Sequence, residues 1–106
     1  MTDAQTGPRV VHIVLFRWKA DASAEAIERA LEGIRSLRHA IPGILDLAIG
    51  ANFCDRAKGY HHGLVVTLES RAALDAYGPH PAHQRVVQEL LQPIREDTLA
   101  LDFEVA

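Results

Sequence analysis

The chain has 106 residues, 48% of them hydrophobic and 24% charged, a size and balance that suit one globular domain and exclude the disordered and membrane-embedded classes. Its formal net charge of −3 offers no general attraction to phosphate backbones or anionic lipid, so no nucleic acid and no membrane is expected as a partner. The apolar run Val10–Phe16 is interrupted by His12 and falls far short of the ~20 residues that span a bilayer. The start, Met1 to Pro8, lacks the basic and purely apolar segments of a signal peptide, and a cytoplasmic location is expected. Cys54 is the single cysteine, which excludes an intrachain disulfide and a thiolate cluster. Six histidines in so short a chain carry more information, because imidazole titrates nearest neutrality.

Residues 1–8 are polar and aperiodic and read as a tail, with the domain over 9–106. Val10–Trp18 is β-branched, aromatic and apolar at both parities, the pattern of a central strand covered on both faces. Ser23 can cap a helix whose first turns hold Glu25 and Glu28. Ile27, Leu31, Ile34, Leu37 and Ile41 form its inner stripe, and Pro42-Gly43 stops it. Leu45 to Phe53 alternates as a half-buried second strand. After the polar connector Cys54–Gly59, Tyr60–Glu69 returns as a third strand, hairpin-paired with the second. Ser70 caps a short helix over Arg71–Tyr77, which Gly78-Pro79-His80-Pro81 interrupts. Val86, Val87, Leu90, Leu91 and Ile94 line a second helical stretch. Thr98–Val105 closes the domain as a strand with Leu99, Leu101, Phe103 and Val105 on one side.

The order is strand, helix, strand, strand, helix, strand. It defines an α+β fold, βαββαβ, with a four-stranded antiparallel sheet and helices on one face. The opposite face is apolar, and a second copy of the same sheet is its expected cover, which predicts a homodimer.

Three stretches carry a resemblance: His12-Ile-Val-Leu-Phe-Arg-Trp18, Gly59-Tyr-His-His-Gly63, and Asp75-Ala-Tyr-Gly-Pro-His-Pro-Ala-His83. Together with the element order over residues 9–105, they resemble the stress-responsive A/B barrel (Dabb) family. The resemblance implies a ferredoxin-like fold assembled as a dimeric α/β barrel, and by itself no single reaction. The same stretches are similar to a plant polyketide cyclase of that family. That likeness implies Tyr77 and His83 as catalytic residues, with His83 the general base, and His12 and His62 as lining of the substrate pocket. No cofactor is required for such chemistry, and no metal is expected, because no carboxylate lies within the His80–His83 loop to serve a hard ion.

The chemistry stands on the residue types as well. A neutral imidazole, pKa near ~6.5, can take a proton from carbon flanked by two carbonyls, and a phenol, pKa near ~10, can donate to the enolate oxygen. Each residue also has a plain structural use. Tyr77 can be a helix-end aromatic with its hydroxyl wet, and His83 can bond a local backbone group. His80, between two prolines, reads as a turn-fixing residue. His12 interrupts an apolar strand and needs a hydrogen-bond partner if buried, and His62 shares that logic. His61 points to the other face, and His39 suits the end of its helix. Arg17 reads as a strand-end residue at the dimer seam, with receipt of a substrate carboxylate as its alternative use. The function expected is binding of a small, largely apolar carbonyl compound, with cofactor-free acid–base cyclisation or isomerisation. The alternatives are a non-enzymatic stress or assembly protein, and a cofactor-free monooxygenase or haem-degrading barrel.

Overall fold

The structure is a computed structural model and describes residues 7–105. Of the segment read as a tail, residues 1–6 lie outside the described residues. The elements are β1 (Arg9–Trp18), α1 (Ala24–Ala40), β2 (Ile44–Ala51), β3 (His62–Leu68), α2 (Arg71–Tyr77), α3 (Pro81–Val86), a π-turn over Val87–Leu91, and β4 (Arg95–Val105). The strands form one antiparallel sheet in the order β2-β3-β1-β4. This is the βαββαβ, ferredoxin-like arrangement, with β1 inside the sheet as its two-sided apolar pattern requires.

Local chemistry sets the element ends. The Ala26 amide donates to Ser23 Oγ at 3.0 Å, which satisfies one of the free amides at the start of α1, and Arg38 and His39 fall in its last turn. Gly43 has φ 92°, and a Cβ there would sit 2.8 Å from the Ala73 Cβ, so the turn into β2 needs glycine for conformation and for space. Ser70 Oγ accepts from the Ala73 amide at 3.2 Å and starts α2.

Strand alternation sorts the sheet into two faces. Val10, Phe16 and Trp18 of β1 and Leu64, Val66 and Leu68 of β3 pack with Leu31, Ile34 and Leu37 of α1 and with Tyr77, Val86, Leu91 and Ile94 in one buried cluster. The other face carries Val11, Ile13 and Leu15, paired in register with Phe103, Leu101 and Leu99. Here Leu99, Leu101, Phe103 and Val105 remain exposed. The apolar stripe of the last strand therefore belongs to the open face.

Four boundaries differ from the sequence-based expectation. β2 ends at Ala51, and Phe53 stands fully exposed beyond it. β3 begins at His62 rather than Tyr60. The second helical stretch begins earlier, at Pro81, because the His80 Nδ1 accepts from the Ala82 amide at 3.0 Å and proline fits the first helical position. It then widens into the π-turn, where the Gln92 amide reaches back to the Val87 carbonyl at 2.8 Å. β4 starts at Arg95 rather than Thr98. Among the described residues no helix is long and apolar enough to cross a membrane.

Candidate active site

Between the helix-facing side of the sheet and the helices lies a cavity of about 190 Å³, lined by His12, Tyr77 and His83 together with Val14, Phe16, Ile34, Leu37, Val87, Leu91, Arg95, Thr98 and others. Three elements deliver its polar groups. β1 presents His12 on the helix-facing side, the C-terminal end of α2 presents Tyr77, and α3 presents His83. The Tyr77 ring contacts both imidazoles, 5.5 Å from His12 in an edge contact and 4.5 Å from His83, centroid to centroid.

Each histidine is held through one ring nitrogen. His83 Nδ1 lies 2.9 Å from the Gly78 carbonyl. Because a carbonyl only accepts, Nδ1 carries the proton and Nε2 keeps its lone pair. His12 Nδ1 pairs with the Asp102 carboxylate, its direct partner across the β1–β4 ladder; a carboxylate only accepts, so Nδ1 carries a proton toward it and the ring is held in one orientation. Burial lowers the His83 pKa, an effect its bond to Gly78 opposes, and the ring is neutral near pH 7. Tyr77 is 3% exposed, and burial pushes its phenol up to about 12, so it stays a proton donor. Its hydroxyl has no hydrogen-bond partner among the described residues. The cavity thus holds a neutral acceptor, a retained proton and an oriented second imidazole within one apolar enclosure.

The sequence singled out four residues for this site, and the structure brings three of them together. His62 lies elsewhere. It sits on β3 opposite Phe16, where the Trp18 indole donates to its Nδ1 at 2.9 Å, and Phe16 and Trp18 stack at 5.2 Å. His62 therefore stands outside the lining of this cavity and serves as a partner of Trp18, at the edge of two open clefts beside Leu15 and Trp18. His61 is exposed and accepts the Trp18 amide at 3.1 Å through Nδ1. His80 fixes the turn before α3, as its cap bond shows. Arg17 is committed to Glu96 at 3.1 Å and Asp97 at 3.5 Å and lies over the Tyr60 ring.

Sequence reasoning missed Asp102, Arg95 and Thr98. Asp102 had a legible signal, since antiparallel pairing of the first and last strands sets one acidic residue against His12. Arg95 had none, because its position depends on a register shift in the ladder between Arg17 and Trp18.

A single helical layer on a four-stranded antiparallel sheet, with an open apolar face behind it and a cavity lined by His12, Tyr77 and His83 inside, defines a ferredoxin-like α+β protein. The chain belongs to the stress-responsive A/B barrel domain family, whose family model matches residues 10–105. It is 32% identical over 95 residues to a stress-response A/B barrel domain-containing protein of Arabidopsis thaliana, covering 89% of this chain and 36% of that protein's length. Its fold is similar to a dimeric ferredoxin-like protein of unknown function from Thermobifida fusca, with a TM-score of 0.82, 28% identity, and 94% and 93% of the two chains covered. It is also similar in fold to the hydroxynitrile lyase of Passiflora edulis, with a TM-score of 0.85, 23% identity, and coverage of 93% and 94%.

Proposed function

We propose that the chain is a homodimeric acid–base catalyst acting without a cofactor on a small, largely apolar carbonyl compound. His83 serves as base and Tyr77 as donor to the carbonyl oxygen. The carrying observation is the contact of the Tyr77 ring with both His12 and His83, at 5.5 and 4.5 Å, in the lining of one cavity. His83 Nε2 takes a proton from carbon flanked by two carbonyls, the C–H electron pair passes into an enolate, and its oxygen accepts a hydrogen bond from the Tyr77 hydroxyl. The enolate carbon then attacks a second carbonyl of the same molecule, closing a ring, or is reprotonated at another position. His83 returns its proton in either case. His12, oriented by Asp102, contributes a second polar group to the lining.

The volume of about 190 Å³ supports a compact substrate of roughly one ring, since a cavity of about 150 Å³ holds benzene. The dimer is supported by the exposed Leu99, Leu101, Phe103 and Val105 and by the dimeric state of the Thermobifida fusca neighbour. That a hydroxynitrile lyase shares the architecture fits a fold able to house a site, with the reaction set by the side chains.

The test is α-proton exchange into D₂O, followed by NMR, over a panel of small oxo acids and 1,3-diketones. The intact protein is expected to exceed the buffer rate on at least one probe. Tyr77→Phe and His83→Gln are expected to lose about 10²-fold or more of that rate while remaining folded. Exchange at the buffer rate across the whole panel overturns the proposal and favours the assembly role.

A further inference from the structure

The cavity contains a cation that the acid–base chemistry does not use. Arg95 lines it with Tyr77 and His83, is half-buried, and carries its charge at any physiological pH. Among the described residues its guanidinium makes no ion pair, whereas Arg17, Arg35, Arg38 and Arg71 each hold a carboxylate. A half-buried guanidinium without a counter-ion, lining a largely apolar cavity, is poised to receive an anion.

The backbone explains how it comes to face inward. Phe16 pairs with Thr98 and Arg17 with Asp97, so an unbroken ladder would set Trp18 against Glu96. The register shifts there, and the partner of Trp18 is Arg95. The shift exchanges an acidic residue for a basic one on the cavity side. The nearby carboxylates are occupied elsewhere: Glu96 and Asp97 accept from Arg17, and Asp97 also accepts from the Tyr60 hydroxyl at 2.8 Å. Thr98, next along the lining, adds a hydroxyl donor.

Resting on the acid–base reading of this site, we infer that the substrate is a small oxo acid whose carboxylate is received by Arg95 and Thr98 while its carbonyl end meets Tyr77 and His83. The planar guanidinium matches a carboxylate with two parallel N–H bonds. The volume leaves space for about one ring beyond the carboxylate. This assigns to Arg95 the part that the sequence had offered to Arg17.

The test is calorimetric titration of the full chain with benzoate and with benzamide, near pH 8, where ordinary imidazoles are neutral, and at low salt. Benzoate is expected to bind about tenfold or more tightly than benzamide. Arg95→Gln is expected to erase that preference while leaving benzamide affinity unchanged, which also shows that the variant is folded, and Arg95→Lys to restore part of it. Equal affinities in the unaltered protein, or unchanged benzoate affinity in Arg95→Gln, overturn the inference. Tyr77→Phe separates the two proposals. If it keeps benzoate binding and exchanges α-protons at the full rate, the catalytic proposal falls and the carboxylate site stands. If it loses exchange while benzoate ignores Arg95, the carboxylate site falls and the catalytic proposal stands.

Discussion

Tyr77→Phe separates a catalytic phenol from a structural one by the sign of its effect on stability. The side chain is 3% exposed, its ring contacts both imidazoles, and its hydroxyl has no hydrogen-bond partner among the described residues. A buried hydroxyl in a hydrogen bond contributes about 0.5–1.5 kcal/mol, whereas one left unsatisfied costs about 1–3 kcal/mol. Water in the cavity offsets part of that cost. Removing the oxygen while keeping the ring is therefore expected to change unfolding free energy by anything from zero to a gain of about 1 kcal/mol. The gain corresponds to a rise in Tm of up to ~4–8 °C for a domain of this size. Tyr77→Ala, which also removes the ring, is expected to lose about 3–5 kcal/mol. Urea unfolding at matched protein concentration measures both, since the proposed dimer would make apparent stability depend on concentration. A loss above about 1 kcal/mol in Tyr77→Phe at an unchanged m-value would show that the hydroxyl supports the fold and refute the reasoning.

Three further outcomes follow from the same structure. Burial lowers the pKa of both His83 and His62, so below the ordinary imidazole value of ~6.5 the unfolded chain binds more protons than the folded one. Stability is therefore complete above that value and is lost as pH falls toward the folded pKa values; urea midpoints from about pH 5 to 8 should show a shallower acid loss in His83→Gln. Leu101 is 58% exposed on the open face, so Leu101→Asp should yield a folded monomer by sedimentation with the circular dichroism of the parent; a persistent dimer would place the interface elsewhere. Gly43→Ala puts a side chain at φ 92° and 2.8 Å from the Ala73 Cβ, and a thermal melt should show a loss of about 1–3 kcal/mol.

The sheet, its faces and the first two helices were legible because each rests on a local pattern. Val10–Trp18 is apolar at both parities and is the interior strand, and Ser23 and Ser70 cap the helices that follow them. The site was less legible because a cavity is a property of packing. His12 and His62 carry the same sequence argument, an imidazole in an apolar strand. Only the tertiary structure separates them, giving Asp102 to one and the Trp18 indole to the other. Arg95 was beyond reach for a sharper reason. Alternation alone puts Glu96 on its side of the strand, and a single register shift reverses the assignment.

The cavity itself invites a test that does not depend on knowing the ligand. Val14 and Val87 line it from the sheet and from the π-turn, and each is half-buried. In a close-packed interior, Val→Ile at such positions forces neighbouring side chains aside and costs about 1–3 kcal/mol. Where the added methyl group enters open volume, the same change removes apolar surface from water and gains up to about 0.8 kcal/mol per carbon. The substitutions lie on different walls, so the paired variant is expected to be the more stable by up to about 1.6 kcal/mol. It should bind benzoate and benzamide more weakly together, because the shared volume shrinks while Arg95 is untouched. Destabilisation of both single variants would mean that the space is already filled, and the catalytic and carboxylate proposals would fall with it.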